Sequence, residues 1–180
     1  MKLVILERNS VGTDVNVSCF EKFGEVTCYP NTVAANTSER VKDADIILAN
    51  KAPLNESTLK DAPNVKLICL LATGFDNVDL AYCKSRSIKV TNVVNYCTST
   101  VAQHTLLLAL ALSEKIAFYD DYVKSGAYSA QDRFSNFDRT FYDLEGKTWG
   151  IIGMGTIGRR VAGLAQAFGC RVIFYSASGK

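Results

Sequence analysis

The sequence predicts an α/β protein in which a parallel sheet is followed by a second, separate βαβ unit. Short, nearly continuous apolar segments alternate with helical segments over residues 1–91, which is typical of a parallel sheet covered by helices on both faces. A glycine-rich turn joins two further apolar segments within residues 148–175. A length of 180 residues, with 48% apolar and 21% charged residues, is enough for one good core or two small ones.

Five strands are expected in the first half of the chain. They are Lys2–Glu7, Val26–Tyr29, Asp45–Ala49, Lys66–Leu71 and Ile88–Thr91, with helical or turn segments around Val15–Phe23, Thr37–Lys42, Ser57–Asp61 and Val78–Ser85. In a parallel sheet, the loops that leave the carboxyl ends of the strands form the binding crevice. Those loops begin near Asn9, Asn50, Ala72 and Asn92.

One long helix is predicted from Ser99 to about Lys124, and Gly126 ends it. Leucine, alanine and valine occupy nearly all of its faces over residues 101–112. A helix that is apolar all round is buried on more than one side. We therefore expect this helix at a domain junction or at a subunit interface.

The next segment, residues 127–146, is aromatic and charged without a clear period. Its aromatic residues are Tyr128, Phe134, Phe137, Phe141 and Tyr142. A large exposed apolar patch marks an interaction surface. We therefore expect an arm that docks on a second copy of the chain, giving a homodimer through helix 99–124 and arm 127–145.

The pattern G-x-G-x-x-G occurs at Gly153, Gly155 and Gly158, after an apolar strand and at the start of a helix. In dinucleotide-binding units the first glycine permits the turn, the second lets the backbone approach a pyrophosphate, and the third lets helix and strand pack closely. The pyrophosphate lies on unpaired N–H groups at the start of the helix, here those of Thr156 and Ile157. A purely structural glycine turn is the alternative.

The second strand of this unit, Arg171–Tyr175, follows Gly169. An acidic residue normally binds the adenine ribose about 20 residues after the first glycine, but positions 171–180 contain none. Ser176, Ser178 and Lys180 offer hydroxyls and a cation that suit a 2′-phosphate. The sequence therefore leaves NAD and NADP as equal candidates.

Charge and cysteine content exclude several classes of function. A net charge of +2 without a basic cluster argues against nucleic-acid binding, and the apolar run 106–112 is too short for a membrane span. The six cysteines, Cys19, Cys28, Cys69, Cys83, Cys97 and Cys170, lack metal-ligand spacing. We therefore expect no metal, and reduced thiols in a cytoplasmic protein. Cys97, in a polar segment, is the candidate for a reactive thiol.

Four motifs occur in an order typical of one enzyme family. They are Asn50-Lys51-Ala52-Pro53-Leu54, Leu71-Ala72-Thr73-Gly74-Phe75-Asp76-Asn77-Val78-Asp79, Val101-Ala102-Gln103-His104-Thr105 and Leu144-Glu145-Gly146-Lys147-Thr148-Trp149-Gly150-Ile151-Ile152-Gly153. With these motifs the chain resembles the D-isomer-specific 2-hydroxyacid dehydrogenases, most closely the glycerate dehydrogenase/hydroxypyruvate reductase-like members. The resemblance covers essentially all 180 residues.

The resemblance implies four parts: a flavodoxin-like substrate domain (1–98), a linking helix (99–126), an arm (127–146) and the start of a Rossmann domain (147–180). It also implies hydride transfer between NAD or NADP and a small 2-hydroxy or 2-oxo acid. Backbone N–H groups of Ala72, Thr73 and Gly74 would bind the substrate carboxylate, and Lys51 would add a positive charge. Thr100 would contact the cofactor. An ordinary strand-ending turn and a solvated lysine are the alternatives for the substrate residues.

The family uses a histidine, an orienting carboxylate and an arginine for catalysis, and the resemblance places all three in its second half, beyond residue 180. The only histidine here is His104, which matches a structural motif in the long helix. We therefore expect no catalytic residue in these 180 residues, and a chain that is inactive alone. The alternative is a non-catalytic dimeric protein that senses nucleotides or binds partners on the same scaffold.

Overall fold

A computed structural model describes residues 1–176 of the chain. The chain divides into two compact units, Met1–Tyr96 and Cys97–Lys180. Each unit contains its own parallel sheet. The α/β fold class is confirmed.

The first unit contains a five-stranded sheet in the order β2-β1-β3-β4-β5, and every neighbouring pair of strands is parallel. The strands are β1 (Lys2–Ile5), β2 (Glu25–Cys28), β3 (Ile46–Ala49), β4 (Leu67–Leu70) and β5 (Lys89–Thr91); the helices are α1 (Ala34–Val41), α2 (Glu56–Leu59) and α3 (Leu80–Ser85), with 3₁₀ turns at Arg8–Ser10 and Ser18–Phe23. This strand order is flavodoxin-like, as expected. All five predicted strands are present.

The two faces of this sheet are covered unequally. One face packs under the three helices and holds most of the fully buried side chains, among them Leu6, Ile47, Leu59 and Ile68. The opposite face, around Ile5 and its neighbours, is covered mainly by the 3₁₀ segment. Because apolar burial stabilises by about 25 cal/mol per Å², the helical face contributes most of the stability.

In the second unit the predicted long helix is interrupted. It consists of α4 (Thr98–Ser113) and α5 (Ile116–Lys124), which are bent by 60° relative to each other. The break lies at Lys115, whose φ of 56° places it in the left-handed region, and its ammonium donates a hydrogen bond to the Leu112 carbonyl at the end of α4 (2.9 Å). The prediction of one continuous helix is therefore wrong.

Burial of the first of these helices is also less than expected. It packs against α7 (Thr156–Ala167), but Ala102 is its only buried residue. Leu107, Leu108 and Leu112 are 55%, 53% and 73% exposed. In the described part of its own unit, the packing against α7 therefore leaves much of this helix exposed.

The segment after α5 begins with a short helix, α6 (Ala127–Ala130), and is otherwise irregular up to Lys147. Part of it packs on α5: the Tyr119 hydroxyl donates to the Arg139 carbonyl (2.5 Å), and the Tyr119 and Phe141 rings meet edge to face. Phe134 and Phe137 remain 90% and 78% exposed. The arm therefore docks on its own chain at one end and projects apolar rings at its middle.

The last elements form the expected βαβ unit. The strands β6 (Thr148–Ile152) and β7 (Arg171–Tyr175) are parallel and pair residue for residue from Thr148↔Arg171 to Ile152↔Tyr175, with α7 between them. Gly169, which has a φ of 75°, follows the end of the helix, as is usual for a helix C-terminus.

In the part of the chain that the structure describes, no single helix has both the length and the apolar composition needed to cross a membrane. The bent pair α4–α5 meets those two criteria only when its helices are taken together.

The interruption at Lys115 predicts an unusual response to glycine. Lys115→Gly is expected to raise the free energy of unfolding by up to about 1 kcal/mol, because glycine adopts a left-handed conformation without steric cost. Arg160→Gly is the control. Arg160 is an exposed residue in the middle of α7, where glycine is expected to lower the free energy of unfolding by about 1 kcal/mol. Urea unfolding measures both. Equal losses in the two variants would indicate a continuous helix at 115.

Candidate functional site

The first candidate site lies at the carboxyl edge of the five-stranded sheet. The chain leaves β1, β3, β4 and β5 at the same edge because all the strands are parallel. Backbone N–H and C=O groups beyond the last strand pairs have no ladder partner there, so they must bond to side chains, water or a ligand. Two of these loops, 50–52 and 72–74, contain the residues predicted to bind substrate.

The loop after β4 is held by the loop after β5 through its carbonyl groups. The Ala72 carbonyl accepts from the Val93 N–H (3.1 Å), and the Thr73 carbonyl accepts from the Asn92 amide (2.8 Å). The Thr73 hydroxyl donates to the Val93 carbonyl (2.9 Å). Within residues 1–176, the N–H groups of Ala72, Thr73 and Gly74 have no acceptor. This loop therefore presents three donors to a ligand.

Lys51 lies in the loop after β3, and its side chain is exposed. Its backbone N–H donates to the Glu7 carboxylate (2.7 Å). Its ammonium makes no ion pair with any residue that the structure describes. The structure thus fixes the backbone of Lys51 and leaves its charge available.

Sequence reasoning missed two residues that hold these loops. Glu7, buried two residues after the end of β1, accepts N–H groups from Asn50, Lys51 and Ala52. Asn77 donates its side-chain amide to the Ala52 carbonyl (2.9 Å). The sequence does carry one signal for Glu7: it is an acidic residue that directly follows a run of apolar residues. Such a residue is rarely buried without a partner, so it indicates a specific set of donors.

The second candidate site is the glycine turn between β6 and α7. Gly153 has a φ of 92°, and its N–H donates to the Tyr175 carbonyl (2.8 Å), which extends the pairing with β7. The first hydrogen bond of the helix runs from Arg159 N–H to the Gly155 carbonyl (2.9 Å). Among the described residues, nothing accepts from the N–H groups of residues 156–158. This arrangement gives three donors at the positive end of a helix dipole.

Each glycine of the turn has a separate steric reason. The positive φ of Gly153 favours glycine. A Cβ at Gly158 would lie 2.2 Å from the Gly153 carbonyl oxygen, so that position must be glycine for the helix to pack on the turn. A Cβ at Gly155 would meet nothing within 4 Å. Glycine at 155 therefore keeps space open in front of the free N–H groups, where a ligand would approach.

The remaining predicted residues are less constrained. Thr100 is exposed in the first turn of α4, and Ser176 is half-buried directly after β7. Ser178 and Lys180 lie outside the described residues. His104 is exposed on α4.

All six cysteines are free. Burial raises the pKa of the Cys69 thiol. Burial, with the Asp79 carboxylate adding to it, raises the pKa of the Cys83 thiol. Both thiols are therefore held in their less reactive protonated form. Cys97 is half-buried at the start of α4, and its predicted reactivity stays a prediction.

A parallel sheet with free amides at its carboxyl edge, followed by a glycine turn that opens a helix, defines the class of α/β proteins with a dinucleotide-type βαβ unit. Comparison with known families identifies the family within that class. The profile described as "D-isomer specific 2-hydroxyacid dehydrogenase, catalytic domain" matches residues 4–177, so the chain belongs to the D-isomer-specific 2-hydroxyacid dehydrogenases.

Individual relatives agree with this assignment. The chain is 37% identical to the glycerate dehydrogenase of Methylorubrum extorquens over 97% of its own length and 55% of that protein. It is 32% identical to the hydroxypyruvate reductase of Blautia hydrogenotrophica over 98% of its length and 56% of that protein. The chain thus spans about half the length of the curated relatives it matches.

Solved structures show the same fold. The D-lactate dehydrogenase of Aquifex aeolicus, complexed with NAD and lactic acid, superimposes with a TM-score of 0.81 at 30% identity, covering 100% of this chain and 52% of that one. A protein from Thermus thermophilus superimposes with a TM-score of 0.83 at 26% identity, covering 100% of this chain and 57% of that one.

The close approach at Gly158 predicts a loss of stability on enlargement. Gly158→Ala is expected to lower the free energy of unfolding by about 1–3 kcal/mol, because the new methyl group overlaps a backbone oxygen. Gly163→Ala, in the same helix with open space around it, is the matched control and is expected to gain about 0.5–1 kcal/mol. Thermal unfolding followed by circular dichroism measures both. An unchanged stability in Gly158→Ala would contradict the packing described for the turn.

Proposed function

We propose that this chain supplies the phosphate contacts for NAD(P) and the carboxylate contacts for a small 2-oxo acid in a 2-hydroxyacid dehydrogenase. One observation carries the proposal: the N–H groups of residues 156–158 open α7 without an acceptor in the described chain, behind a glycine turn that leaves space for a diphosphate. The NAD complex of the Aquifex aeolicus relative supports the same cofactor class. A nicotinamide cofactor held by these residues would supply the hydride chemistry at C2 of the acid.

The turn suits a dinucleotide in both shape and charge. Amide donors at a helix N-terminus favour an anion without requiring a cationic side chain. We assign the diphosphate to Gly153, Gly155, Thr156, Ile157 and Gly158. We assign Thr100 and Ser176 to the remainder of the cofactor, since each adjoins an element of the same unit. The choice between NAD and NADP stays open.

The free amides of Ala72, Thr73 and Gly74 suit a carboxylate, since charge-assisted hydrogen bonds from backbone N–H groups are the strong ones. The exposed ammonium of Lys51 adds a cation to the same sheet edge. We assign substrate binding to these four residues and, accordingly, a substrate role to residues 1–98. We assign no catalytic residue within the 180 residues, because the only histidine, His104, lies in the long-helix motif, which by resemblance has a structural role.

We also propose a homodimer that forms through α4, α5 and the arm. Three leucines of α4 and the arm residues Phe134 and Phe137 are exposed, and large apolar side chains exposed in this number are typical of interfaces. We propose a cytoplasmic location, because free thiols persist in reducing compartments.

The cofactor assignment predicts the effect of one methyl group. The 180-residue chain is expected to bind NADH or NADPH, measured by enhancement of nicotinamide fluorescence. Gly155→Ala is expected to weaken binding at least tenfold with little change in the unfolding midpoint, since its methyl enters the open space rather than the protein. Gly163→Ala is the control and is expected to bind as the wild type does. Equal affinity in all three proteins would contradict the assignment.

The reaction itself is tested on the product of the complete gene, with hydroxypyruvate and glyoxylate as substrates and oxidation of NADH or NADPH as the readout. Consumption of the reduced cofactor is the expected result. Binding without consumption would contradict the dehydrogenase and favour the non-catalytic sensor.

The proposed dimer predicts a response to one charge on the exposed side of α4. Leu112→Glu is expected to shift the sedimentation coefficient from that of a dimer to that of a monomer, because a carboxylate resists burial against a second apolar face. Val33→Glu, at a residue that is 63% exposed in the first unit, is the control and is expected to remain dimeric. A monomeric wild type would contradict the dimer.

A further inference from the structure

Glu7 is a buried carboxylate without a cationic partner. Its side chain belongs to a residue that is 7% exposed, and none of the ion pairs among the described residues includes it. Its oxygens instead accept three consecutive backbone N–H groups: Asn50 at 2.8 Å on Oε2, and Lys51 at 2.7 Å and Ala52 at 2.6 Å on Oε1. Burying a carboxylate is costly unless it is hydrogen-bonded in this way.

We propose that Glu7 is a positioning residue for the 2-oxo acid, acting through Lys51: it fixes the 50–52 loop, which leaves β3 next to the loop that leaves the paired strand β4, so that the lysine side chain and the free amides of 72–74 serve the same anion. This inference rests on the proposed function of that sheet edge. It adds a residue that does not touch the substrate.

The bonding pattern divides the donors at this edge into two sets. The amides of Asn50, Lys51 and Ala52 point at Glu7, so they cannot also bind a substrate carboxylate. Those of residues 72–74 remain available. The 50–52 loop can therefore contribute to anion binding only through its side chains, of which Lys51 carries the one positive charge. Its contribution depends on where Glu7 holds the backbone.

A second set of bonds connects the two loops. The Asn77 side chain donates to the Ala52 carbonyl (2.9 Å). The Leu54 N–H donates to the Asn77 carbonyl (2.9 Å), and the Asp79 N–H donates to the Leu54 carbonyl (2.9 Å). These bonds hold the 50–54 segment against residues 77–79, on the side away from Glu7.

A carboxylate is suited to holding the 50–52 loop through its backbone N–H groups. It has acceptor sites for three N–H groups and no donor, whereas the isosteric amide of glutamine has one oxygen and an NH₂ group that would face N–H donors. Glu7→Gln therefore keeps the size of the side chain and leaves part of the loop without acceptors. Glu39, exposed on α1, provides a matched control of the same chemistry.

The experiment measures glyoxylate reduction by the product of the complete gene. Glu7→Gln is expected to raise KM for glyoxylate roughly tenfold to a hundredfold, because a misplacement of about 1 Å has effects of that size. KM for the reduced cofactor should be unchanged. Lys51→Met should raise KM for glyoxylate by a similar factor, and Glu7→Gln/Lys51→Met should be no worse than either single variant, because both changes remove the same contribution. Glu39→Gln should match the wild type.

The outcomes separate this inference from the function on which it rests. A wild-type protein that reduces no 2-oxo acid would overturn the proposed function, and the substrate role of Glu7 with it. An active wild type with an unchanged KM for glyoxylate in Glu7→Gln, or with strictly multiplicative effects in the double variant, would overturn the inference alone. Hydrogen exchange on the 180-residue chain checks the physical step: Glu7→Gln should speed exchange at Lys51 and Ala52 while Leu6 stays protected.

Discussion

Backbone N–H groups that no strand or helix satisfies are the feature on which both candidate sites depend. A parallel sheet brings the ends of its strands to one edge, and a helix leaves its first N–H groups without intrahelical partners. In this chain, residues 72–74 have the free N–H groups at the sheet edge, and residues 156–158 have those at the start of the helix. Both sets of donors suit anions, one for a carboxylate and the other for a diphosphate. The fold thus supplies binding groups before any charged side chain is added.

Side chains then decide which of these donors stay free. Glu7 takes the amides of the 50–52 loop. The Asn92 side chain and the Val93 N–H, in the loop after β5, donate to the carbonyls of Thr73 and Ala72. At the glycine turn, the absence of side chains has the same effect, because Gly155 leaves the space before the helix open. A few residues in contact with each loop therefore determine which backbone N–H groups are bonded within the chain and which remain free for a ligand.

The strands and the glycine turn could be predicted because their causes are local: apolar runs bounded by polar residues, and glycines at a spacing that the backbone requires. The break at Lys115 could not, because Ser113, Glu114 and Lys115 are acceptable helix residues and neither glycine nor proline marks the site. The sequence predicted Glu7 as the last residue of the first strand. Its role depends on hydrogen bonds to a loop 43 to 45 positions away, and no local sequence pattern predicts such a contact. The exposure of Leu112 likewise depends on how α4 packs in three dimensions.

The most direct measurement is a titration of the ¹⁵N-labelled chain with NADH, followed through its backbone amide signals. A diphosphate bound at the start of α7 should move the signals of Thr156, Ile157 and Gly158 the most, because their N–H groups gain a charged acceptor. Signals in β2, remote in sequence and in the other unit, should stay in place. Unmoved signals at 156–158 at saturating NADH would contradict the account.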